Sequence, residues 1–360
     1  MLEVQIMENR PVRLGMIGAG SFSSAHCGGI WSAGKDVCDL IAICDIDEKK
    51  AQFRADCYKI PFVYTDYHEL LARDDIEAVT PPLPDQEHCK IACDALRAGK
   101  HVLCEKPMAL DLDECKEMVR VSRETGKILM VGQIGRYTPA FVKAKEILDS
   151  GAIGELFLIE SEYAHDYSKI PGTTYGNHTI PWRKAPEREP ILGGGCHAID
   201  LIRMIAGDPI EVFSYANNKC LTDWPIHDCS MSIMKFENGA IGKVMNSHGC
   251  KRRYTMRSVL YGTKGTVIFD NSSSSIQLFK PGFSDDPVFE NSDQRTVFID
   301  IPVALNNHNF QGEVTDFCNA IREGRPVITD GVSGAKTVAV GKAIIESFTT
   351  GKPVKPDYDI

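Results

Sequence analysis

The feature that most constrains the fold is a glycine turn between two apolar runs near the start of the chain. Residues 12–17 have the composition of a buried strand, Gly18 and Gly20 follow directly, and a second apolar run, 40–44, ends in Asp45. This order of strand, turn, helix, strand and acid is typical of a nucleotide-binding βαβ unit. Gly18 permits the tight turn, and Gly20 lets backbone N–H groups approach a pyrophosphate at the positive end of the following helix.

Asp45 indicates which dinucleotide the turn binds. It lies where a carboxylate accepts hydrogen bonds from both hydroxyls of the adenosine ribose. A 2′-phosphate there would meet an unpaired like charge, so the pattern favours NAD(H) over NADP(H). Ser23 replaces the third glycine of the usual pattern, and it is still small enough for close packing of the helix on the sheet.

Composition narrows the class of protein. The 360 residues are enough for two domains with a sizeable core. The net charge of −9 argues against nucleic acid or an anionic membrane as the main partner. The thirteen cysteines are scattered and none has Cys-x-x-Cys spacing, so we expect a reducing, cytoplasmic location without a disulfide framework or zinc site. No apolar stretch approaches the roughly 18 residues that a membrane span requires.

The pattern of apolar residues changes along the chain and predicts two α/β domains, 1–131 and 132–360. In the first domain, strand-like runs alternate with helical periods, which is typical of a mostly parallel sheet with helices on both faces. In the second, hairpin-like turns join the strand-like runs and predict an antiparallel or mixed sheet. Residues 271–296 are rich in Ser, Asp and Pro and predict a surface loop or an irregular hairpin. The predicted strands are 13–17, 40–44, 76–80, 101–104, 128–131, 155–165, 210–217, 228–236, 240–248, 256–261 and 265–269, and helices are predicted at 310–323 and 332–349.

A second informative run follows the predicted strand 101–104. Glu105-Lys106-Pro107 lies at the carboxyl end of that strand. Ligands bind at the carboxyl ends of strands in open α/β sheets. A lysine in this place can face the cofactor, and Pro107 stiffens its backbone.

A third run, residues 192–200, contains three consecutive glycines followed by Cys196 and His197. Consecutive glycines clear space for a ligand or for another part of the chain. His197 and Asp200 are three residues apart at the start of a predicted helix. An imidazole is the side chain best suited to move a proton near neutral pH, which makes His197 a candidate catalytic residue.

The segment 163–183 combines aromatic rings with polar tips, which is how proteins bind sugars: rings contact C–H faces and polar groups contact hydroxyls. An ordinary surface loop would have a similar composition. His165, Asp166 and His178 also admit a metal-site interpretation, but we predict no metal. The residues singled out in this segment are Tyr163, His165, Asp166, Tyr167, Tyr175, Asn177, His178, Trp182 and Arg183.

Over nearly its whole length the chain resembles the Gfo/Idh/MocA family of oxidoreductases. The lysine of the Glu-Lys-Pro run and the histidine of the glycine-rich run are specific marks, and they occur in the expected order and spacing. The other motifs that carry the resemblance are the turn at 18–23, Ala98–Val102, Gly132–Arg136, Gly151–Glu155, Trp182-Arg183, Glu313–Phe317 and Gly351–Val354.

The resemblance implies an N-terminal Rossmann domain and a C-terminal α/β domain with a large, open, mostly antiparallel sheet. It implies an NAD-dependent dehydrogenase acting on a sugar, glycoside or cyclitol hydroxyl, with the nicotinamide at the junction of the domains. Lys106 would orient the reacting hydroxyl and His197 would take its proton. The predicted cofactor-binding residues are Gly18, Gly20, Ser21, Phe22, Asp45, Pro81, Glu105 and Lys106. The predicted substrate-binding residues are Lys106, Arg136, Tyr163, His165, Asp166, His178, Trp182, Arg183, His197 and Asp200.

The sequence departs from the family pattern at Gly193, where dehydrogenases of the family usually have an aspartate four residues before the histidine. Asp200, Asp166 or a group on the substrate could replace that carboxylate. Gly193 would also leave more room beside the reacting hydroxyl, which would suit a bulkier glycoside, and the pattern looks like that of members that oxidise a glycoside at C3.

Two other functions are compatible with the same motifs. One is NAD-dependent glycoside cleavage by transient oxidation and elimination. The other is a non-catalytic, NAD-sensing regulatory role, against which the retention of Lys106 and His197 argues. In either case an open sheet with one uncovered face predicts a homo-oligomer, from dimer to hexamer.

Overall fold

The computed structural model describes residues 10–169, 181–281 and 296–360. The chain divides into two compact units. The first comprises the residues up to Ile134 together with Asn309–Val338 and Ile360, and the second comprises Gly135–His308 and Ala339–Asp359. A single division at residue 131 was predicted from the sequence, whereas residues 309–338 belong to the same unit as the N-terminal residues.

The first unit contains a six-stranded parallel sheet in the order β3-β2-β1-β4-β5-β6. Four of six residues of β1 are buried in an unbroken run, as expected for a strand covered on both faces. Its strands are β1 (Val12–Ile17), β2 (Cys38–Cys44), β3 (Phe62–Tyr64), β4 (Ala78–Thr80), β5 (His101–Cys104) and β6 (Leu129–Val131). Its helices are α1 (Ser23–Ala33), α2 (Glu48–Tyr58), α3 (Tyr67–Leu71), α4 (His88–Arg97), α5 (Leu112–Thr125) and α9 (Phe310–Glu323).

Local signals explain where several of these helices begin and end. The Asp47 side chain accepts from the backbone N–H of Lys49 at 3.1 Å and caps α2. Asp111 caps α5 through the N–H of Asp113 at 2.9 Å. Such caps satisfy N–H groups that have no partner within the helix. At its other end α5 stops at Gly126, which has a φ of 65°.

The second unit contains an eight-stranded sheet in the order β14-β13-β12-β11-β7-β10-β9-β8. β7 and β10 are parallel, and the other neighbours are antiparallel, so the sheet is mixed but mostly antiparallel as predicted. The strands are β7 (Leu156–Ala164), β8 (Pro209–Asn217), β9 (Cys229–Phe236), β10 (Ile241–Ser247), β11 (Thr255–Gly262), β12 (Gly265–Asp270), β13 (Ser275–Pro281) and β14 (Thr296–Pro302).

Helices cover one face of this sheet and enclose the main core of the unit. α6 (Pro139–Asp149), α7 (Pro190–Gly193) and α8 (Cys196–Ala206) contribute buried side chains to it. Phe141 is fully buried, and its ring meets that of Phe269 edge-on with centroids 5.5 Å apart. The last helix, α10 (Gly331–Thr350), adds residues such as Val340 and Ile344 to the same core.

The predicted strands of both domains are confirmed, with ends shifted by up to two residues. β3 has no counterpart in the prediction, since it is three residues long and none of its residues is buried. In the predicted loop at 271–296, residues 275–281 form β13 and pair antiparallel with β14, while 282–295 lie outside the described residues. All thirteen cysteines are free thiols. In the described parts of the chain, no helix combines the length and apolar character of a membrane span.

Candidate functional site

The glycine turn between β1 and α1 has the conformation that its sequence predicts. Gly18 has a φ of +107°, and its N–H donates to the carbonyl of Cys44 at 2.7 Å. A β-carbon on Gly18 would lie 2.8 Å from Leu83 and 3.2 Å from the Pro82 carbonyl oxygen. At Gly20, in contrast, an added β-carbon would meet nothing within 4 Å. The turn therefore needs Gly18 for its own conformation and leaves open space at Gly20.

Asp45 lies beside this turn and is held by backbone groups. Its Oδ2 accepts from the N–H of Ala19 at 2.7 Å, and its Oδ1 accepts from that of Asp47 at 2.9 Å. Each oxygen keeps a lone pair for a further donor, such as a ribose hydroxyl. Arg54 of α2, which the sequence analysis did not single out, donates to the Gly20 carbonyl at 3.3 Å and brings a cation to the turn. The open space, the oriented carboxylate and the cation fit a dinucleotide.

Three of the predicted cofactor-binding residues lie just before α1 or directly after β4. Ser21 is exposed, and its carbonyl accepts from the Ser24 hydroxyl at 2.7 Å. Phe22 is 38% exposed and meets the ring of Phe310 edge-on, with centroids 5.7 Å apart. Pro81 is buried directly after β4. Phe22 thus has an exposed aromatic edge available to a ligand.

Glu105 is the centre of a buried hydrogen-bonded chain at the carboxyl end of β5. Its Oε1 is 2.7 Å from Nε2 of His26, and Nδ1 of the same imidazole is 2.8 Å from the Thr80 hydroxyl. Its Oε2 accepts from the backbone N–H of Lys106 at 3.1 Å. Burial opposes ionisation of Glu105, but the bond from His26 and the charge of Lys106 leave its pKa below the usual value.

Two histidines in this region were not predicted from the sequence. His26 is 1% exposed in α1, and His88 at the start of α4 is fully buried. His88 places Nδ1 2.8 Å from the carbonyl of Pro107, so it supports the backbone just after Lys106. The sequence signal for His26 was its place on the helix that follows the glycine turn. For His88, only the tertiary structure reveals its partner.

His197 of α8 lies in the second unit among aromatic rings. It is 6% exposed, and its ring stacks on Tyr163 with centroids 5.8 Å apart and on His308 with centroids 6.3 Å apart. Tyr163 donates to or accepts from Nδ1 of His165 at 3.1 Å, and Tyr254 is similarly bonded to His308 at 3.1 Å. The structure therefore brings His197 together with Tyr163 and His165.

Tyr163 and Tyr254, two tyrosines of the aromatic cluster around His197, stay protonated near neutral pH. Burial raises the pKa of Tyr163 well above its usual range, and burial likewise raises the pKa of Tyr254. Each phenol can therefore donate or accept a hydrogen bond but is a poor base. His197 is the better candidate for a proton acceptor in this cluster.

The consecutive glycines before His197 make room for other parts of the protein. A β-carbon on Gly194 would lie 2.5 Å from the Tyr163 ring and 2.7 Å from Nε2 of His248. A β-carbon on Gly195 would lie 2.8 Å from the Ile191 carbonyl oxygen. These glycines allow the start of α8 to press against the aromatic cluster, which positions His197.

Gly193 has a different neighbour, and this corrects one expectation. A β-carbon there would lie 2.3–2.6 Å from the guanidinium atoms of Arg188, a residue only 3% exposed. The expectation that Gly193 leaves extra room for a bulky substrate is therefore wrong, because the guanidinium fills that space. One helical turn before His197, this chain has a cation where dehydrogenases of the family usually have a carboxylate. No pattern in the sequence predicted this cation.

Arg136 and Asp200 are brought together, but mainly with each other. Arg136 donates from Nε to Oδ2 of Asp200 at 2.9 Å and from Nη2 to Oδ1 at 2.7 Å. The side chain of Asp200 is 3% exposed, and Arg203 stands 3.9 Å from the same carboxylate. This bidentate pair occupies Asp200, so it does not stand in for the missing carboxylate as a ready acceptor.

The other predicted substrate-binding residues belong to the segment 163–183, and each has different neighbours. Asp166 is buried; burial opposes its ionisation, but bonds from Ser168 and Lys251 lower its pKa. Arg183 lies with its guanidinium carbon 5.8 Å from the centre of the Tyr167 ring. Trp182 belongs to the 3₁₀ helix Pro181–Lys184, and His178, with Tyr175 and Asn177, falls outside the described residues. In the part of the chain that is described, no three His, Cys, Asp or Glu side chains could hold a metal ion.

Comparison with known families accounts for both units. The oxidoreductase family with an NAD-binding Rossmann fold, Gfo/Idh/MocA, matches residues 12–133, and the C-terminal domain of the same family matches residues 141–268. The chain belongs to the Gfo/Idh/MocA family. It is an oxidoreductase with an NAD-binding Rossmann domain.

Similar proteins extend over most of the chain. A myo-inositol 2-dehydrogenase of Thermotoga maritima is 24% identical over 355 residues, which are 96% of this chain and 98% of that protein. A levoglucosan dehydrogenase of Pseudarthrobacter phenanthrenivorans is 27% identical over 79% of this chain and 80% of that protein. A solved levoglucosan dehydrogenase in complex with NADH has a TM-score of 0.86 at 23% identity and covers 97% of this chain and 100% of that one. The fold of both units is thus the family fold.

The position of Asp45 leads to a prediction about cofactor preference. We expect the protein to bind NAD(H) more tightly than NADP(H), because a 2′-phosphate would face the Asp45 carboxylate. Asp45→Ala should weaken NAD(H) binding and reduce the preference. Dissociation constants of both cofactors, measured by quenching of protein fluorescence for the wild type and the variant, check this. Equal affinities in the wild type would contradict it.

Proposed function

We propose that the protein transfers a hydride between NAD(H) and a secondary hydroxyl or ketone of a sugar, glycoside or cyclitol. The observation that carries this proposal is His197, a buried imidazole stacked between Tyr163 and His308. Aromatic faces next to a proton acceptor suit a polyol, whose C–H faces pack on rings while its hydroxyls bond to polar tips. The names of the relatives, inositol and levoglucosan dehydrogenases, support the same substrate class.

The roles of the two candidate catalytic residues follow from their chemistry. Bound NAD⁺ supplies the acceptor for the hydride. Lys106 binds the reacting hydroxyl and favours its alkoxide-like state through its positive charge. His197 takes the hydroxyl proton as an imidazole. Glu105 fixes the backbone of Lys106 through the 3.1 Å bond to its N–H.

Arg188 decides which compounds a substrate screen should contain. Its guanidinium stands beside Gly193, one turn before His197, where it can bind hydroxyl or carboxylate oxygens. The panel should therefore pair each neutral sugar with its acid: glucose with glucuronate, glucosides with glucuronides, and inositols. Oxidation of a glycoside at C3 is the most specific version of the proposal. It rests on the Gly-Gly-Gly-Cys-His sequence, since the argument from free space at Gly193 no longer holds.

The test is formation of NADH, followed by its absorbance, with each compound of that panel. Substrate-dependent NADH formation is expected. Release of an aglycone without net NADH would favour NAD-dependent glycoside cleavage instead. No turnover with any compound, together with normal NAD binding, would favour a non-catalytic regulatory role.

The face of the eight-stranded sheet that the described helices leave uncovered leads to a prediction about assembly. Tyr215 is 70% exposed, Met231 is 46% exposed and Ile233 is 54% exposed, and Tyr215 and Met231 are opposite each other on β8 and β9. Lys243 pairs with Glu160 and Glu162 on the same sheet. Apolar side chains around balanced charges suit a self-complementary contact. We therefore predict a homo-oligomer, a dimer or larger, that buries this face.

Light scattering of the purified protein at micromolar concentration measures the assembly. Ile233→Glu should lower the mass towards that of a monomer, because it places a charge in the apolar part of the face. Ile328→Glu is the matched control, since Ile328 is 53% exposed but belongs to the first unit. A monomeric mass for the wild type, or equal effects of the two variants, would contradict the prediction.

A further inference from the structure

The first unit contains a buried carboxyl group that the proposed reaction does not use. Glu313 of α9 is 0% exposed, and neither of its side-chain oxygens has a hydrogen-bond partner among the described residues. Buried polar groups in folded proteins are almost always bonded, and an exception calls for an explanation. An ionised carboxylate in such a place would be costly, so the neutral acid is favoured.

Glu105 is the charged group that acts on Glu313. The point where a β-carbon on Gly132 would stand is 3.6 Å from Oε1 of Glu313 and 3.5 Å from Oε1 of Glu105. The two carboxyl groups thus flank one glycine. Burial, and secondly the charge of Glu105, raise the pKa of Glu313 well above its usual range. Glu105 itself is kept ionised by His26 and Lys106. The pair therefore holds one negative charge and one proton.

The topology places this pair in one half of the dinucleotide site. Asp45 follows β2 and marks the adenosine half of the sheet. Glu105 follows β5 and Gly132 follows β6, on the other side of β1 in the strand order. A doubly wound sheet is built from two mononucleotide-binding halves, so the half with β4–β6 serves the nicotinamide. The nicotinamide ring is cationic in NAD⁺ and neutral in NADH.

We propose that Glu313 is a proton site coupled to the charge of the bound nicotinamide, protonated with NADH and giving up its proton when NAD⁺ binds. The added positive charge of NAD⁺ would stabilise a second carboxylate beside Glu105, whereas neutral NADH would not. The O–H bond of Glu313 breaks, its electron pair stays on the carboxylate, and the proton goes to solvent. Binding of NADH breaks no such bond. The coupling rests on the cofactor half of the proposed function and needs no substrate.

Isothermal titration calorimetry tests this directly. NAD⁺ and NADH are each titrated into the full-length protein in two buffers of different ionisation enthalpy, which gives the number of protons released on binding. We expect proton release with NAD⁺, up to one per site, and none with NADH. The Kd for NAD⁺ should accordingly fall by up to about tenfold for each unit by which the pH rises, over the range in which the free protein keeps Glu313 protonated, because binding releases a proton.

Glu313→Gln should abolish the difference between the two cofactors and flatten the pH dependence. Glu114→Gln is the matched control, since Glu114 is another glutamate whose pKa burial raises, but it lies on α5 and packs near Cys89. It should leave the proton count unchanged. Equal proton counts for NAD⁺ and NADH in the wild type, or an unchanged difference in Glu313→Gln, would overturn the proposal.

A second variant keeps the test valid if Glu313→Gln does not fold. Gly132→Ala places a methyl group at ordinary contact distance from both carboxyl groups. It would further desolvate Glu313 and move the proton release with NAD⁺ to higher pH. An unchanged pH dependence in this variant would count against the proposal. Absence of sugar oxidation would instead contradict only the proposed reaction, since the proton count is measured without substrate.

Discussion

Replacing His197 or Lys106 should lower turnover by roughly a hundredfold or more, the usual scale for a positioned acid–base group. His197→Ala removes the proton acceptor, and Lys106→Met removes the positive charge while keeping a side chain of similar length. For His197→Ala the NAD(H) affinity should change by much less, since His197 is not one of the predicted cofactor-binding residues and does not belong to the glycine turn between β1 and α1. Steady-state rates with the best substrate of the panel, together with NAD(H) dissociation constants, separate the two effects.

Controls for this result come from the same side-chain types elsewhere in the protein. His68→Ala changes an exposed residue and Lys143→Met changes a side chain that is 45% exposed, so both variants should retain full activity. A His197→Ala enzyme with near-normal turnover would remove His197 from the mechanism. Tyr163 is a poor replacement as base because burial raises its pKa, so His165 would be examined next.

Gly20→Ala should leave the fold intact and weaken NAD(H) binding by tenfold or more, which corresponds to at least about 1.4 kcal/mol. The added methyl group meets nothing of the protein within 4 Å, so its cost should appear only when a dinucleotide approaches the turn. Thermal unfolding with and without NAD(H), combined with titration of the cofactor, measures both quantities.

Gly18→Ala provides the contrast. Its φ of +107° and the 3.2 Å approach to the Pro82 carbonyl should destabilise the free protein by about 1–3 kcal/mol. A lowered Tm without cofactor is therefore expected for Gly18→Ala but not for Gly20→Ala. If Gly20→Ala bound NAD(H) like the wild type, the open space at this glycine would not be the pyrophosphate site.

The sequence predicted those parts of the site that depend on local order along the chain. The turn at Gly18, the acid at Asp45 and the Glu-Lys-Pro run follow strands directly, so their place at a sheet edge could be deduced from strand order. Arg188 could not be predicted in this way. Arg188 lies in the loop before the short helix that contains Gly193, and its guanidinium approaches that glycine. No periodic pattern predicts the direction of a single long side chain.

The second limit concerns contacts between distant parts of the chain. The helix at 310–323 was predicted with the correct ends, but its place in the first unit was not. That place depends on the close approach of Gly29 in α1 to Phe310, where a β-carbon would lie 2.6 Å from the phenylalanine side chain. A single sequence does not identify such a pair. For the same reason, the approach of Glu313 to Glu105 and the hydrogen-bond partners of His26 were found only in the structure.

The return of residues 309–338 to the first unit has a consequence for how the protein is made. A nascent chain that has emerged as far as Ile134 carries all six strands of the parallel sheet, but α1 still lacks α9, the helix that packs against it. The first unit cannot complete its core until nearly the whole polypeptide has left the ribosome, although domains usually fold from the N-terminus onwards during synthesis. During that interval the sheet of the second unit, which lies within residues 156–302, is synthesised in full, but its core still lacks Val340 and Ile344 of α10. Both units therefore complete their cores only at the end of synthesis, when residues 309–359 have emerged.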